Sequence, residues 1–107
     1  MKQKLLILLM VVLGIAEGAR AANVEINATN FPDEKFRNWI LAQSYGADGI
    51  LTDAEIAGVT EIDVHNKGIS DLTGIEYFTV LKTLKCYVNR LKALNVSKNT
   101  ALQSLIA

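Results

Sequence analysis

A short α/β solenoid with 21 to 22 residues per coil, closed at its N-terminal end by a helix–loop–helix unit, is the fold class this sequence predicts. Three observations predict it. From Val59 onward the apolar residues recur at a fixed long interval, before residue 58 they follow helical spacing, and a loop with two glycines separates two helical patterns there.

The chain begins Met1-Lys2-Gln3-Lys4, runs from Leu5 to Leu13 without a polar side chain, and reaches Ala19-Arg20-Ala21. A basic start, a short apolar run and an Ala-x-Ala end are the parts of a secretory signal peptide, so residues 1–21 are read as one, cleaved after Ala21. The run falls short of the ~20 residues that span a bilayer. No transmembrane anchor is therefore expected after cleavage, and the destination is secreted, periplasmic or cell surface. Cys86 is the one cysteine in the chain, so packing without an intramolecular disulfide must hold the fold. Basic and acidic residues balance at eleven each, which removes the electrostatic reason to expect nucleic acid as a partner.

Residues 22–58 form the expected cap. Pro32 suits a first helical position, and Phe36, Trp39 and Ile40 follow at i, i+3, i+4 spacing, which predicts a helix from Pro32 to Gln43. Ser44 to Gly49 breaks it. Thr52-Asp53-Ala54-Glu55 then opens a second helix as a capping box, Thr52 accepting from a backbone N–H and Glu55 reaching back.

Residues 59–107 carry the repeat, two copies and the start of a third. Val59, Ile62, Val64 and Ile69 match Leu81, Leu84, Cys86 and Leu91 at an offset of 22, and Leu102, Leu105 and Ala107 follow at an offset of 21. The stretch from Leu81 to Leu91 fits the leucine-rich repeat template L-x-x-L-x-L-x-x-N-x-L, with Cys86 in place of the third leucine. In the first copy Lys67 stands where the template has asparagine. Each copy should contribute a short parallel strand, near residues 62–64 and 84–86, with Asn89 turned inward to satisfy backbone groups of the bend. Ile69, Leu72, Ile75 and Phe78 would close the outer side of the first coil, and Leu91, Leu94 and Val96 that of the second.

Three segments carry a resemblance: Phe31-Pro32-Asp33-Glu34-Lys35-Phe36-Arg37, the Leu84-Lys85-Cys86 strand with Asn89, and Leu94 to Leu102. On these the sequence resembles secreted or surface leucine-rich repeat proteins of Bacteroidetes-type bacteria, relatives in architecture of the internalins. The resemblance implies adhesion or protein recognition at the cell envelope. It also implies many further coils, so an end at Ala107, within a strand, is read as that of a truncated product.

The loop from Ser44 to Glu55 aligns with the twelve-residue calcium loop of an EF-hand, with Asp48 at position 5, Gly49 at 6, Leu51 at 8 and Glu55 at 12. Positions 1 and 3 are Ser44 and Gly46, which lack the expected oxygen ligands. Asp48 and Glu55 are thus the candidate metal ligands of an EF-hand-like cap whose expected task is structural, covering the first coil without tight calcium binding. No cofactor is expected.

His65 and Cys86 are the only imidazole and thiol, but strand alternation sends them to opposite faces, so they cannot form a nucleophilic dyad. Asp63 and His65 could offer two metal ligands on one face, with no third nearby by register. No catalytic motif is present, and the chain is read as a binding protein. Its contact surface would be the concave sheet, lined by Glu61, Asp63 and His65, then Thr83, Lys85 and Tyr87, then Ser104 and Ile106. Asp63 should face Lys85 as a surface ion pair, and His65 should face Tyr87. Asp63, His65, Lys85 and Tyr87 are the candidate partner-binding residues, the partner being a protein or other macromolecule at the envelope. The alternatives are a calcium-responsive or purely structural cap of a larger envelope protein, or a fragment without function.

Export is expected to remove residues 1–21. Intact-mass measurement of the exported protein checks this, and retention of Met1 or Leu5 would refute it.

Overall fold

A computed structural model describes residues 23–107, so the expected signal peptide lies outside the described residues. Short helices and strands up to Ala57 precede parallel-stranded leucine-rich coils, and the former are called the cap below. In the cap, strand β1 (Val24–Glu25) precedes helix α1 (Glu34–Leu41), a 3-10 turn at Ser44–Gly46, strand β2 (Ile50–Leu51) and helix α2 (Asp53–Ala57). The coils contribute strands β3 (Glu61–Asp63), β4 (Thr83–Lys85) and β5 (Ser104–Ile106), with a 3-10 turn at Ile75–Tyr77 on the outer side.

Helix α1 is shorter than its apolar stripe suggested. Pro32 lies outside it, because the Asp33 carboxylate caps the helix by accepting from the N–H groups of Lys35 (2.9 Å) and Phe36 (3.1 Å). The helix ends at Leu41, and the chain turns back so closely that a Cβ on Gly46 would sit 2.1 Å from the Ile40 carbonyl oxygen. Phe36 and Ile40 are fully buried, with Trp39 packed at the edge of the core. The capping box of α2 forms as expected: the Thr52 N–H donates to Glu55 Oε1 (2.9 Å) and the Glu55 N–H donates to Thr52 Oγ1 (3.2 Å).

The cap is not purely helical. β1 and β2 pair antiparallel, Val24 opposite Leu51 and Glu25 opposite Ile50, tying the entry of the cap to its central loop. Two-residue strands are too short to show alternation, so helical spacing is the one periodic signal in that segment.

The coils form one parallel sheet in the order β3, β4, β5. Glu61, Ile62 and Asp63 pair with Thr83, Leu84 and Lys85, and these with Ser104, Leu105 and Ile106. The strands begin one residue earlier than expected, and the offsets of 22 and 21 read from the sequence become the sheet register. Ile62, Val64, Ile69, Phe78, Leu81 and Leu84 are fully buried between strand and outer turn. Leu91, Leu94 and Val96 are only partly buried on the second coil, and Leu105 and Ile106 of β5 are 43% and 45% exposed.

Asp33 also fastens the cap to the first coil. Its second carboxylate oxygen accepts from the N–H groups of Ser70 (2.8 Å) and Asp71 (3.1 Å), on the turn after Ile69. Nearby, Gly74 has φ 110°, and a Cβ there would meet a Phe31 ring carbon at 2.1 Å, so only glycine lets the cap's Phe31 seat against the coil. Phe31 in turn packs edge-on against Phe36, and its ring lies 5.7 Å from that of Tyr77.

Burial works to raise the Asp33 carboxyl, but hydrogen bonds from the N–H groups of Ser70, Phe36, Lys35 and Asp71 outweigh it and hold the group below its ordinary value. A depressed folded pKa means the stabilisation is complete above the unfolded value near ~4 and is lost as pH falls through the folded one. Asp33→Ala should cost about 1–2 kcal/mol at neutral pH, on the scale of a lost helix cap, the solvent-screened bonds to Ser70 and Asp71 adding less. Urea unfolding checks this, and the gap to wild type should narrow as pH drops below ~4.

Candidate functional site

The concave sheet is positioned from behind by Asn89. Its Oδ1 accepts from the N–H groups of Lys67 and Ile69 at 3.0 Å each, and its Nδ2 donates to the carbonyls of Val64 (2.8 Å), Cys86 (3.0 Å) and, more weakly, Tyr87 (3.4 Å). One amide thus joins the bends of two coils, as its inward position in the template predicted. Lys67, which replaces asparagine in the first coil, stays exposed and contributes its backbone to Asn89 instead.

On the solvent side, the His65 and Tyr87 rings stack with centroids 4.8 Å apart and planes 6° from parallel. His65 Nδ1 lies 2.5 Å from Asp63 Oδ1, which also accepts from the His65 N–H at 3.2 Å. These bonds to His65 hold the Asp63 carboxyl below its ordinary value, aided by the nearby Lys85 charge. The ring is thereby clamped on one edge and covered on one face.

Asp63 and Lys85 are register partners, yet the expected ion pair between them does not form. Lys85 Nζ instead lies 3.5 Å from Glu61 Oε2, while Asp63 is engaged with His65. The bond between Asp63 and His65, two residues apart in the chain, is short and directional. A flexible lysine can reach either acid, so it takes the one left free.

Cys86 faces the opposite way from His65. It is 2% exposed, and burial pushes its thiol pKa up, as for a small apolar core residue.

Asp48 and Glu55 are placed in the cap, and each already serves the backbone. Asp48 Oδ1 accepts from the Ile50 N–H at 3.1 Å, and Glu55 completes the capping box. Loop position 3 is closed to any side chain, because Gly46 lies against the Ile40 carbonyl. Among the described residues no three His, Cys, Asp or Glu side chains gather as a metal site, and no helix is long and apolar enough to cross a membrane. A groove of about 470 Å³ on the outer side, lined by Asp71, Thr73, Glu76, Leu94 and Lys98 among others, has its acids committed to turns. Asp71 accepts from the Thr73 N–H and hydroxyl, and Glu76 accepts from the Gly74 N–H.

Sequence reasoning missed Asn99. It is 3% exposed and donates through Nδ2 to the carbonyls of Ile75 (2.9 Å) and Phe78 (3.0 Å), bonding the outer turn of the second coil to that of the first. The available signal was an amide at the register of Phe78, 21 residues on.

The sheet register, inward apolar ladder and asparagine-filled bend define a leucine-rich repeat solenoid. No family model matches the chain. It is 37% identical over 71 residues to Internalin J of Listeria monocytogenes serotype 4b (strain F2365), a match spanning 65% of this chain and 8% of that protein. Among solved structures it is similar to the functional domain of InlJ from Listeria monocytogenes, with TM-score 0.62 and 27% identity over 79% of this chain and 20% of that one. It shares its fold with the internalin InlF of strain 4b F2365, with TM-score 0.63 and 24% identity over 79% of this chain and 26% of that one. The chain thus has a leucine-rich repeat fold similar to that of the internalins, and it spans a small part of the relatives it matches. The InlJ domain is described as including a cysteine ladder. Here the inward positions in register with Cys86 are Val64 and Ala107.

Calorimetric titration with calcium is expected to show no site of micromolar or tighter affinity, because three of the loop's ligand positions are Ser44, Gly46 and a capping Glu55. A micromolar site abolished by Glu55→Gln would overturn this.

Proposed function

We propose that the chain is a secreted or cell-surface module that recognises a protein through the concave sheet, with no catalytic step. The observation that carries this reading is the clamped stack of His65 and Tyr87. An aromatic ring already fixed by a neighbour loses little conformational freedom on binding, and tyrosine on a rigid strand supplies a large amphipathic area. Asp63 holds the stack in place and Lys85, tied to Glu61, borders it. Similarity to internalins supports a surface protein of this kind, and the apolar N-terminal segment supports export.

The reading is tested with a panel of purified secreted and cell-surface protein domains, measured by interferometry against the immobilised chain. A bound domain should lose about tenfold or more in affinity on Tyr87→Ala, the scale of a binding hot spot. Its thermal unfolding should stay near wild type, since Tyr87 lies outside the buried core. Affinity indifferent to Tyr87→Ala, His65→Ala and Lys85→Ala would refute the concave face as the contact.

A further inference from the structure

The two coils leave the sheet through the same backbone step, and one of them does so at a cost. Asn66 and Val88, 22 residues apart, both take left-handed conformations, with φ 54° and 56°. This step starts the bend into which Asn89 turns. Asparagine tolerates it, because its short polar side chain can hydrogen-bond locally. A β-branched residue there is a genuine outlier.

Packing does not repay that strain. Val88 is 66% exposed and lies outside the core cluster. The equivalent Asn66 is exposed even with the second coil beside it, so the position faces solvent wherever it occurs in the solenoid. Strained residues that nothing in the fold rewards are concentrated at binding and switching sites.

The surroundings indicate what Val88 would meet. On strands β3 and β4 the charged groups pair among themselves, Lys85 with Glu61 and Asp63 with His65. The exposed uncharged side chains around Tyr87 are Asn66, whose N–H donates to the Tyr87 carbonyl, and two apolar ones, Val88 on the rim and Ile106, 45% exposed, on the sheet. We infer that Val88 is a contact residue of the concave surface, extending the Tyr87 platform to receive an uncharged aliphatic or aromatic side chain of a protein partner. This rests on the proposed recognition function of that face.

The test combines a stability measurement with a binding measurement on the full chain. Val88→Asn copies the residue of the first coil and should raise the thermal midpoint by about 4–8 °C, the shift for relief on the scale of one left-handed residue. Val88→Thr keeps the branched shape but adds a hydroxyl, and should leave the midpoint unchanged. Binders are then selected on the wild-type chain from a random dodecapeptide display library. Those lost on Tyr87→Ala should carry aliphatic or aromatic residues and weaken about tenfold on both Val88→Asn and Val88→Thr. If they weaken with Tyr87→Ala but not with either Val88 variant, the concave-face reading stands and this inference fails. If no selected binder responds to Tyr87→Ala, both fail. A Val88→Asn chain no more stable than wild type would remove the strain argument and overturn the inference.

Discussion

The Asn89 amide fills the angle where the second coil leaves the sheet, and the concave surface depends on it. A solenoid bend turns backbone N–H and carbonyl groups inward, where each left unpaired costs about 1–3 kcal/mol. Asn89 accepts from two N–H groups of the first coil and donates to carbonyls of both coils, so neither bend can move without breaking bonds in the other. The strands just before those bends carry His65 and Tyr87. Their stacking is therefore a consequence of backbone register held by a buried amide, and the rings themselves need supply little of the order. Asn99 repeats the device on the outer side with two bonds to the first coil.

A solenoid stabilises each coil mainly through its neighbours, which leaves the first coil exposed on one side unless something polar outside and apolar inside covers it. The cap meets that need with two kinds of contact. Phe31 and Phe36 supply the apolar cover, and Gly74 admits Phe31 by having no side chain. Asp33 supplies direction, dividing its two oxygens between its own helix and the turn after Ile69. A carboxylate is suited to this because it accepts four backbone donors with no proton of its own in the way. The EF-hand-like spacing of the cap loop and its backbone duties are compatible readings of the same residues. Glu55 stands at the loop's last position and simultaneously at the third position of α2, where it caps the helix.

The polar residues of the sheet are largely satisfied by one another, and this shapes what the surface offers a partner. Lys85 is occupied by Glu61 and Asp63 by His65, so charge serves to fix geometry. Exposed ion pairs of this kind add little to folding. In the proposed recognition, the contact value of the face then falls to tyrosine and to the apolar residues around it.

Periodicity makes the coils legible in the amino-acid sequence. Offsets of 22 and 21 in the apolar positions are the sheet register itself, because each coil must return its inward residues to the same layer. Asn89, the capping box of Thr52 and Glu55, and the inward Cys86 are likewise readable from local position, since each depends on neighbours a few residues away. The signal loses strength where the partner is distant or the element very short. The β1–β2 pairing joins residues about 25 apart through two-residue strands, and the choice of Lys85 between Glu61 and Asp63 is settled by which acid His65 has already taken. Asp33 lies in sequence just ahead of an apolar helical stripe, with nothing to mark a second duty. Its bonds to Ser70 and Asp71 exist only because the cap folds down onto the first coil. The sequence by itself determined the coil period, the inward ladder and the capping box of α2, all of which follow from local geometry. Tertiary structure alone decided how the cap is fastened, which charges pair and that Val88 must bend left-handed into solvent, because those outcomes depend on which distant groups compete for the same space.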